Sequence, residues 1–193
     1  METRGRRRLL FLDRDGVLNQ PCNADMESER APWNLGELNI VPCAPLAVSL
    51  AIRCGLLPIV VTNQPDVAKG KLALHALSQI NEALSLEIPG IERIYVCPHQ
   101  SSDGCLCRKP KPGLLIEACE KFGGEMRSSW LIGDRWVDVA AAEAAGCRSV
   151  LIERERSWIP NSSGFPSRDL QPNLLATNVY EAVVAIASIP PGI

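Results

Sequence analysis

The chain has 193 residues, 46% apolar and 22% charged, with a formal net charge of −2. That balance suits one globular domain with a sizeable core and excludes a disordered chain. There is no broad basic bias for nucleic acid or an anionic membrane, and no stretch approaches the roughly 18 apolar residues of a membrane span.

Arg4, Arg6, Arg7 and Arg8 form a basic start, but the apolar run behind them stops at Asp13. That is too short for a signal peptide, so a cytoplasmic protein is expected. Leu9 to Leu12 is the first strand-like run. Residues 20 to 43 hold three prolines and read as a long irregular loop with a short strand at Leu38 to Val41. Pro45 opens a helix whose apolar face is Leu46, Leu50 and Cys54, stopped by Gly55. Leu56 to Val61 is the second strand, with Pro58 awkward inside a ladder because it lacks an N–H.

Leu74, Leu77, Asn81, Leu84 and Ile88 mark a second helix face, and Ile91 to Val96 a third strand. Cys97 to Lys111 fits neither element. Pro112 then opens a helix carrying Leu115, Ala118, Cys119 and Phe122, closed by Gly123-Gly124. Trp130 to Ile132 is strand four, Val137 to Ala145 a helix, and Ser149 to Ile152 strand five. After a polar loop over 153 to 173, Leu174 to Ala176 adds an edge strand. Asn178 with Glu181 three positions on makes a capping-box start for a helix to Ile186.

Strands alternating with amphipathic stretches predict an α/β fold around a parallel sheet, as one domain over residues 1–193 with a C-terminal strand-helix at 174–188. In open α/β sheets the site lies beyond the carboxyl ends of the strands. Strand one ends in Asp13-Arg14-Asp15-Gly16, strand two in Thr62-Asn63-Gln64 and strand four in Gly133-Asp134-Arg135, while Arg108-Lys109-Pro110 follows the cysteine segment. Any one of these alone reads as a loop starter. Together they suit phosphoryl transfer. Asp13 is placed to attack phosphorus and form an aspartyl-phosphate. Asp13 and Asp134 can hold a Mg²⁺ that offsets the repulsion between carboxylate and phosphate. Asp15 can protonate the leaving oxygen and later take a proton from water. Thr62, Asn63 and Lys109 can bind the phosphoryl oxygens. Arg108 is a candidate contact for a second phosphate or a sugar hydroxyl, or simply surface charge.

Of eight cysteines, Cys54, Cys119 and Cys147 read as buried filler, whereas Cys97, Cys105 and Cys107 cluster with His99. Cys97-x-His99-x₅-Cys105-x-Cys107 can satisfy tetrahedral Zn²⁺ as a closed structural site, although its two-residue pairs are tighter than the usual C-x₂-C knuckle. A disulfide or reduced thiol pair is the alternative. A zinc loop over 97–107 would hold Lys109 in place, two residues after Cys107.

"LDRDGVLN", "VVTNQ", "RKP" and "GDRWVD" resemble, in order, motifs I to IV of the haloacid dehalogenase (HAD) phosphatase superfamily. The resemblance covers residues 8 to 152. It implies a Rossmann-like three-layer sandwich without a large cap domain, carrying a short zinc-binding loop insertion. It also implies Asp13 as nucleophile, Asp15 as general acid/base with its backbone carbonyl on Mg²⁺, Asp134 as metal ligand, and Thr62 and Lys109 as phosphate binders. Asp138 would orient the metal's waters or Lys109, the alternative being a solvated helix carboxylate. The cysteine loop is similar to that of the zinc-bearing branch shared by heptose bisphosphate and histidinol-phosphate phosphatases. "DRDGVLN", Lys69-Gly70 and the Pro-Gly after "RKPK" look more like the heptose enzymes. Pro65-Asp66 departs from the Ser-Gly that the resemblance leads one to expect, and the loop at 20 to 36 is poor in the usual residues.

The expected partner is a small phosphorylated molecule, with no nucleic acid and no membrane, and the expected state is a monomer. Two other classes compete. A receiver domain would want an acceptor aspartate after strand three, where Cys97 stands; a non-catalytic zinc module would make the aspartates incidental. Trp33 and Trp158 could wall the pocket or anchor their loops, Trp136 reads as packing, and His75 as exposed.

Overall fold

The computed structural model describes residues 7–22 and 29–190, so Arg4, Arg6 and part of the long loop after β1 lie outside the described residues. Strands β1 (Arg8–Leu12), β2 (Leu56–Asn63), β3 (Arg93–Cys97), β4 (Trp130–Gly133), β5 (Arg148–Ile152) and β6 (Leu174–Ala176) alternate with helices α1 (Ala44–Arg53), α2 (Leu74–Glu87), α3 (Gly113–Phe122), α4 (Trp136–Ala145) and α5 (Val179–Ala187). The six strands form one sheet in the order β3-β2-β1-β4-β5-β6, every pair parallel. This is the Rossmann-like α/β sandwich expected.

β1 lies centrally and alternates between two cores, as a strand buried on both faces must. Leu10 and Leu12 pack with α1 and α5, while Leu9 and Phe11 pack with α3 and α4. β1 has β2 on one side and β4 on the other, so the chain order reverses across it and opens a crevice at the carboxyl ends.

The sheet corrects several boundaries. β2 runs on to Asn63, pairing Thr62 with Val96 and Asn63 with Cys97, so two site residues belong to the strand itself. Pro58 is tolerated because its carbonyl faces the β3 side, accepting from Glu92 N–H at 2.9 Å. Its missing N–H falls on the same side, before the β2–β3 ladder begins at Ile59 and Arg93. The strand expected at Leu38 to Val41 is only an isolated bridge between Asn19 and Ile40.

α1 turns a different face inward from the one expected. Ala44, Ala47, Val48 and Ala51 are buried, and Leu46 is 59% exposed. Small side chains let α1 approach the sheet and α5 closely, so size outweighs hydrophobicity here. α2 buries Leu77, Ile80 and Leu84, with Leu74 exposed. At α5, the Asn178 side chain accepts from Glu181 N–H at 3.0 Å, the N-cap expected. Among the described residues no helix is long and apolar enough to cross a membrane.

Candidate active site

Asp13 follows β1 directly, and its N–H donates to Ile132 O in β4 at 2.9 Å. The chain then turns sharply, with the N–H groups of Leu18 and Asn19 donating to Arg14 O at 2.9 and 3.1 Å. Gly16 makes the turn possible at φ +91°, and a Cβ there would stand 2.1 Å from Asp134 Oδ2. Only glycine lets the Asp134 carboxylate lie against this loop.

The Lys109 ammonium is 1% exposed and lies 2.9 Å from Asp13 Oδ1 and 2.6 Å from Asp138 Oδ1. It also donates to Val61 O at 2.9 Å. The side-chain amide of Asn63 grips the Lys109 backbone twice, donating to Lys109 O at 3.0 Å and accepting from Lys109 N–H at 3.1 Å. Asn63 therefore positions the lysine segment. Burial opposes the lysine's charge, but Asp13 and Asp138 outweigh it and raise its pKa.

Asp13, Asp134 and Asp138 each offer a carboxylate oxygen, all within 4.8 Å of one another. Burial pushes the Asp13 carboxyl up to about 6 against the pull of Lys109, with Asp138 adding to the rise. Burial likewise raises Asp134 well above the ordinary carboxylate range, reinforced by Asp13 and Asp138. Three carboxylates facing one ammonium lack positive charge, and their oxygens suit a hard divalent cation.

The Asp15 carboxylate is not part of this group. It accepts from Arg14 Nη2 at 3.1 Å, Asn19 Nδ2 at 3.0 Å and Gln64 Nε2 at 2.7 Å. Arg14 is fully buried and anchored to Asn81 Oδ1 at 2.8 Å. Gln64 also donates to Thr62 Oγ1 at 2.9 Å. Sequence reasoning passed over Arg14, Asn19 and Gln64, although all three stand inside the quoted motifs. Arg154, which donates to Gly16 O, was passed over too, although it stands two residues past the end of β5, where the strand-end rule points.

Asp13, Asp15, Thr62, Asn63, Arg108, Lys109, Asp134 and Asp138 all line one cleft of about 740 Å³. Arg108 reaches its edge, donating from Nε to Ser101 Oγ at 3.2 Å and from Nη1 to His99 O at 3.3 Å. Trp33 lines the same cleft, whereas Trp158 lines a separate hollow with Glu153 and Leu174. Trp136 is buried and donates to Ile159 O at 3.1 Å, which is packing.

Beside the cleft, Cys97, His99, Cys105 and Cys107 gather their ligand atoms. Sγ of Cys107 is 3.3 Å from both Cys97 Sγ and His99 Nδ1, and Cys97 Sγ is 3.6 Å from Cys105 Sγ. These approach the edge length of roughly 3.8 Å for a tetrahedron with 2.3 Å metal–sulfur bonds. No cysteine is in a disulfide. Burial pushes the Cys97 thiol up to about 12; at Cys105 the Cys107 thiol and the Arg108 N–H overcome burial and bring it to about 7.

Residues 106–182 match the HAD-hydrolase-like family model. The chain is 34% identical over 186 residues to the D-glycero-β-D-manno-heptose-1,7-bisphosphate 7-phosphatase of Pseudomonas aeruginosa, covering 94% of this chain and 97% of that one. It is 31% identical to the enzyme of the same name from Vibrio cholerae, covering 90% and 91%. The crystal structure of D,D-heptose 1,7-bisphosphate phosphatase from Bordetella bronchiseptica, complexed with magnesium and phosphate, is similar with a TM-score of 0.74 at 25% identity, covering 93% and 97%. With motifs, fold and these relatives in agreement, the chain belongs to the HAD-hydrolase-like phosphatases, in the group of the heptose-1,7-bisphosphate 7-phosphatases.

Proposed function

We propose that this protein is a Mg²⁺-dependent phosphomonoester hydrolase that removes the 7-phosphate of D-glycero-β-D-manno-heptose 1,7-bisphosphate. The observation that carries this reading is the Asp13 carboxylate held 2.9 Å from a buried Lys109 and grouped with Asp134 and Asp138 on the cleft floor. Asp13 and Asp134, with the Asp15 backbone carbonyl, would hold Mg²⁺, which would offset the charge between nucleophile and phosphate. Asp13 attacks phosphorus, forming the aspartyl-phosphate as the ester P–O bond breaks. Asp15, held by Arg14, Asn19 and Gln64, gives its proton to the departing sugar oxygen. It then takes a proton from the water that attacks the aspartyl-phosphate, releasing phosphate and freeing Asp13. Thr62 and Lys109 bind the phosphoryl oxygens, Asp138 orients Lys109, and Arg108 meets the sugar or its second phosphate.

We infer further that Cys97, His99, Cys105 and Cys107 hold a structural Zn²⁺. All four positions are protein ligands, so the site is closed, and its task is to fix the segment that delivers Arg108 and Lys109.

The test is phosphate release from the heptose bisphosphate, p-nitrophenyl phosphate and histidinol phosphate, with and without Mg²⁺. Turnover should need Mg²⁺, favour the heptose bisphosphate, and fall by a factor on the order of 10³ or more in Asp13→Asn. Preference for histidinol phosphate would reassign the substrate. A folded wild type that releases phosphate from none of them would refute the reading.

A further inference from the structure

Beyond the acidic floor, one wall of the cleft is built from two segments far apart in sequence: the loop before α1 and the turn after β2. Trp33 Nε1–H donates to Asp66 Oδ2 at 2.9 Å, and Lys69 Nζ pairs with Asp66 Oδ1 at 3.0 Å. Both carboxylate oxygens are therefore engaged. Burial opposes this charge, but the indole N–H and the Lys69 ammonium outweigh it and hold the carboxyl below its ordinary value.

The indole is itself an organising centre. The Arg30 guanidinium lies 3.9 Å from its ring centroid and the Lys71 ammonium 5.9 Å. A bidentate contact to Glu37, at 2.6 and 3.0 Å, fixes Arg30, and the same Glu37 accepts from the Trp33 backbone N–H at 2.9 Å. Leu72, Leu77 and Ile80 pack beneath. Arg30, Trp33, Asp66, Lys69 and Lys71 all line the cleft that contains Asp13. None of them makes a hydrogen bond or ion pair to Asp13, Asp134 or Lys109 among the described residues, so this wall is a part of the cleft distinct from its acidic floor. Asp66 also stands where the motif comparison leads one to expect glycine, which would leave the indole without this acceptor.

We propose that Asp66 is a positioning residue for the leaving-group side of the site, acting through Trp33. By latching the loop before α1 onto the turn after β2, it fixes Trp33, Arg30 and Lys69 as a preformed wall for a leaving group that carries its own anion. This rests on the phosphatase reading above. A preformed wall spares the substrate the entropy of ordering that loop, so the latch sets KM for the whole sugar substrate and leaves the chemical step alone.

The test uses the full chain with Mg²⁺ and compares wild type, Asp66→Ala, Asp66→Asn and Trp33→Phe. Losing one such hydrogen bond should raise KM for the heptose bisphosphate about five- to tenfold in Asp66→Ala and Trp33→Phe, with kcat unchanged. In Asp66→Ala, KM and kcat for p-nitrophenyl phosphate, whose leaving group lacks the sugar and its anion, should not move. Asp66→Asn keeps an acceptor for the indole and should recover most of the lost affinity. Backbone hydrogen exchange over residues 29 to 38 should speed up in Asp66→Ala and stay slow in Asp66→Asn. The proposal is overturned if KM for the bisphosphate does not change, or if kcat falls equally on both compounds. Should the wild type turn over neither, the phosphatase reading fails, and unchanged exchange over 29 to 38 in Asp66→Ala would separately sink the latch.

Discussion

Lys109 shows how much one buried charge holds together. Its ammonium meets Asp13, Asp138 and a backbone carbonyl at 1% exposure, so its removal would leave two carboxylates facing each other without compensation. Lys109→Met should therefore cost roughly 3–5 kcal/mol of stability at neutral pH. The sign with pH follows from the carboxylates. In the variant the folded state binds protons more readily than the unfolded one, so acidification towards pH 4.5 should return part of the loss. Urea unfolding at the two pH values measures both, and a neutral-pH cost below about 1 kcal/mol would contradict the ion-pair reading. At this scale the sequence was informative where chemistry and position coincide: Asp13, Thr62 and Asp134 could be placed by asking what stands at strand ends. Arg14 and Gln64 were missed because they act by holding Asp15, and such a role is visible only as a contact.

At the scale of elements, the cysteine loop combines buried and exposed residues within a few positions. Cys97 ends β3, while His99, Cys105 and Cys107 come from the segment that follows it, with Leu106 77% exposed between the last two. The proposed zinc clip would add to the hold that Cys97, buried in the core beside α3, already gives this segment. Protein purified without added zinc should carry about one equivalent, and Cys105→Ser should lose it. Its activity should fall with the metal, because Lys109 lies two residues beyond Cys107. Metal analysis decides this: a wild type without zinc, or a Cys105→Ser protein that keeps it, rules out the clip. The helices illustrate a different limit. The N-cap at Asn178 could be read locally because its geometry depends on residues three apart. The buried face of α1 could not, because alanines become core only when a neighbouring helix comes close.

Over the whole molecule, the sheet order decides where charge collects. β1 and β4 are adjacent although far apart in sequence, which brings Asp13 and Asp134 together in a buried site. Burial holds folded Asp13 near 6, from a usual 3.8, and Asp134 well above its usual value. The folded state then binds more protons than the unfolded one across about pH 4 to 6, so their contribution to metal-free stability falls as pH rises through that window. For Asp13 alone the loss is on the order of 3 kcal/mol. Metal-free Asp13→Asn should accordingly be more stable than wild type at pH 7, with a smaller difference at pH 4.5. Mg²⁺, binding the ionised carboxylates, should stabilise the wild type more at pH 7 than at pH 4.5 and do little for the variant. Thermal unfolding with and without Mg²⁺ tests all of this, and a Mg²⁺ effect independent of pH would argue against the cluster as its site.

The chain sequence was enough to specify the α/β class, the strand-end residues and the Cys/His cluster, because periodicity, turn chemistry and residue spacing are local properties of the chain. How closely the carboxylates of Asp13 and Asp134 approach, the reach of Gln64 to Asp15, and the closure of the cleft wall by Trp33 on Asp66 were decided only by the tertiary structure. Those are contacts between segments tens of residues apart, and the packing of the sheet and its helices sets them.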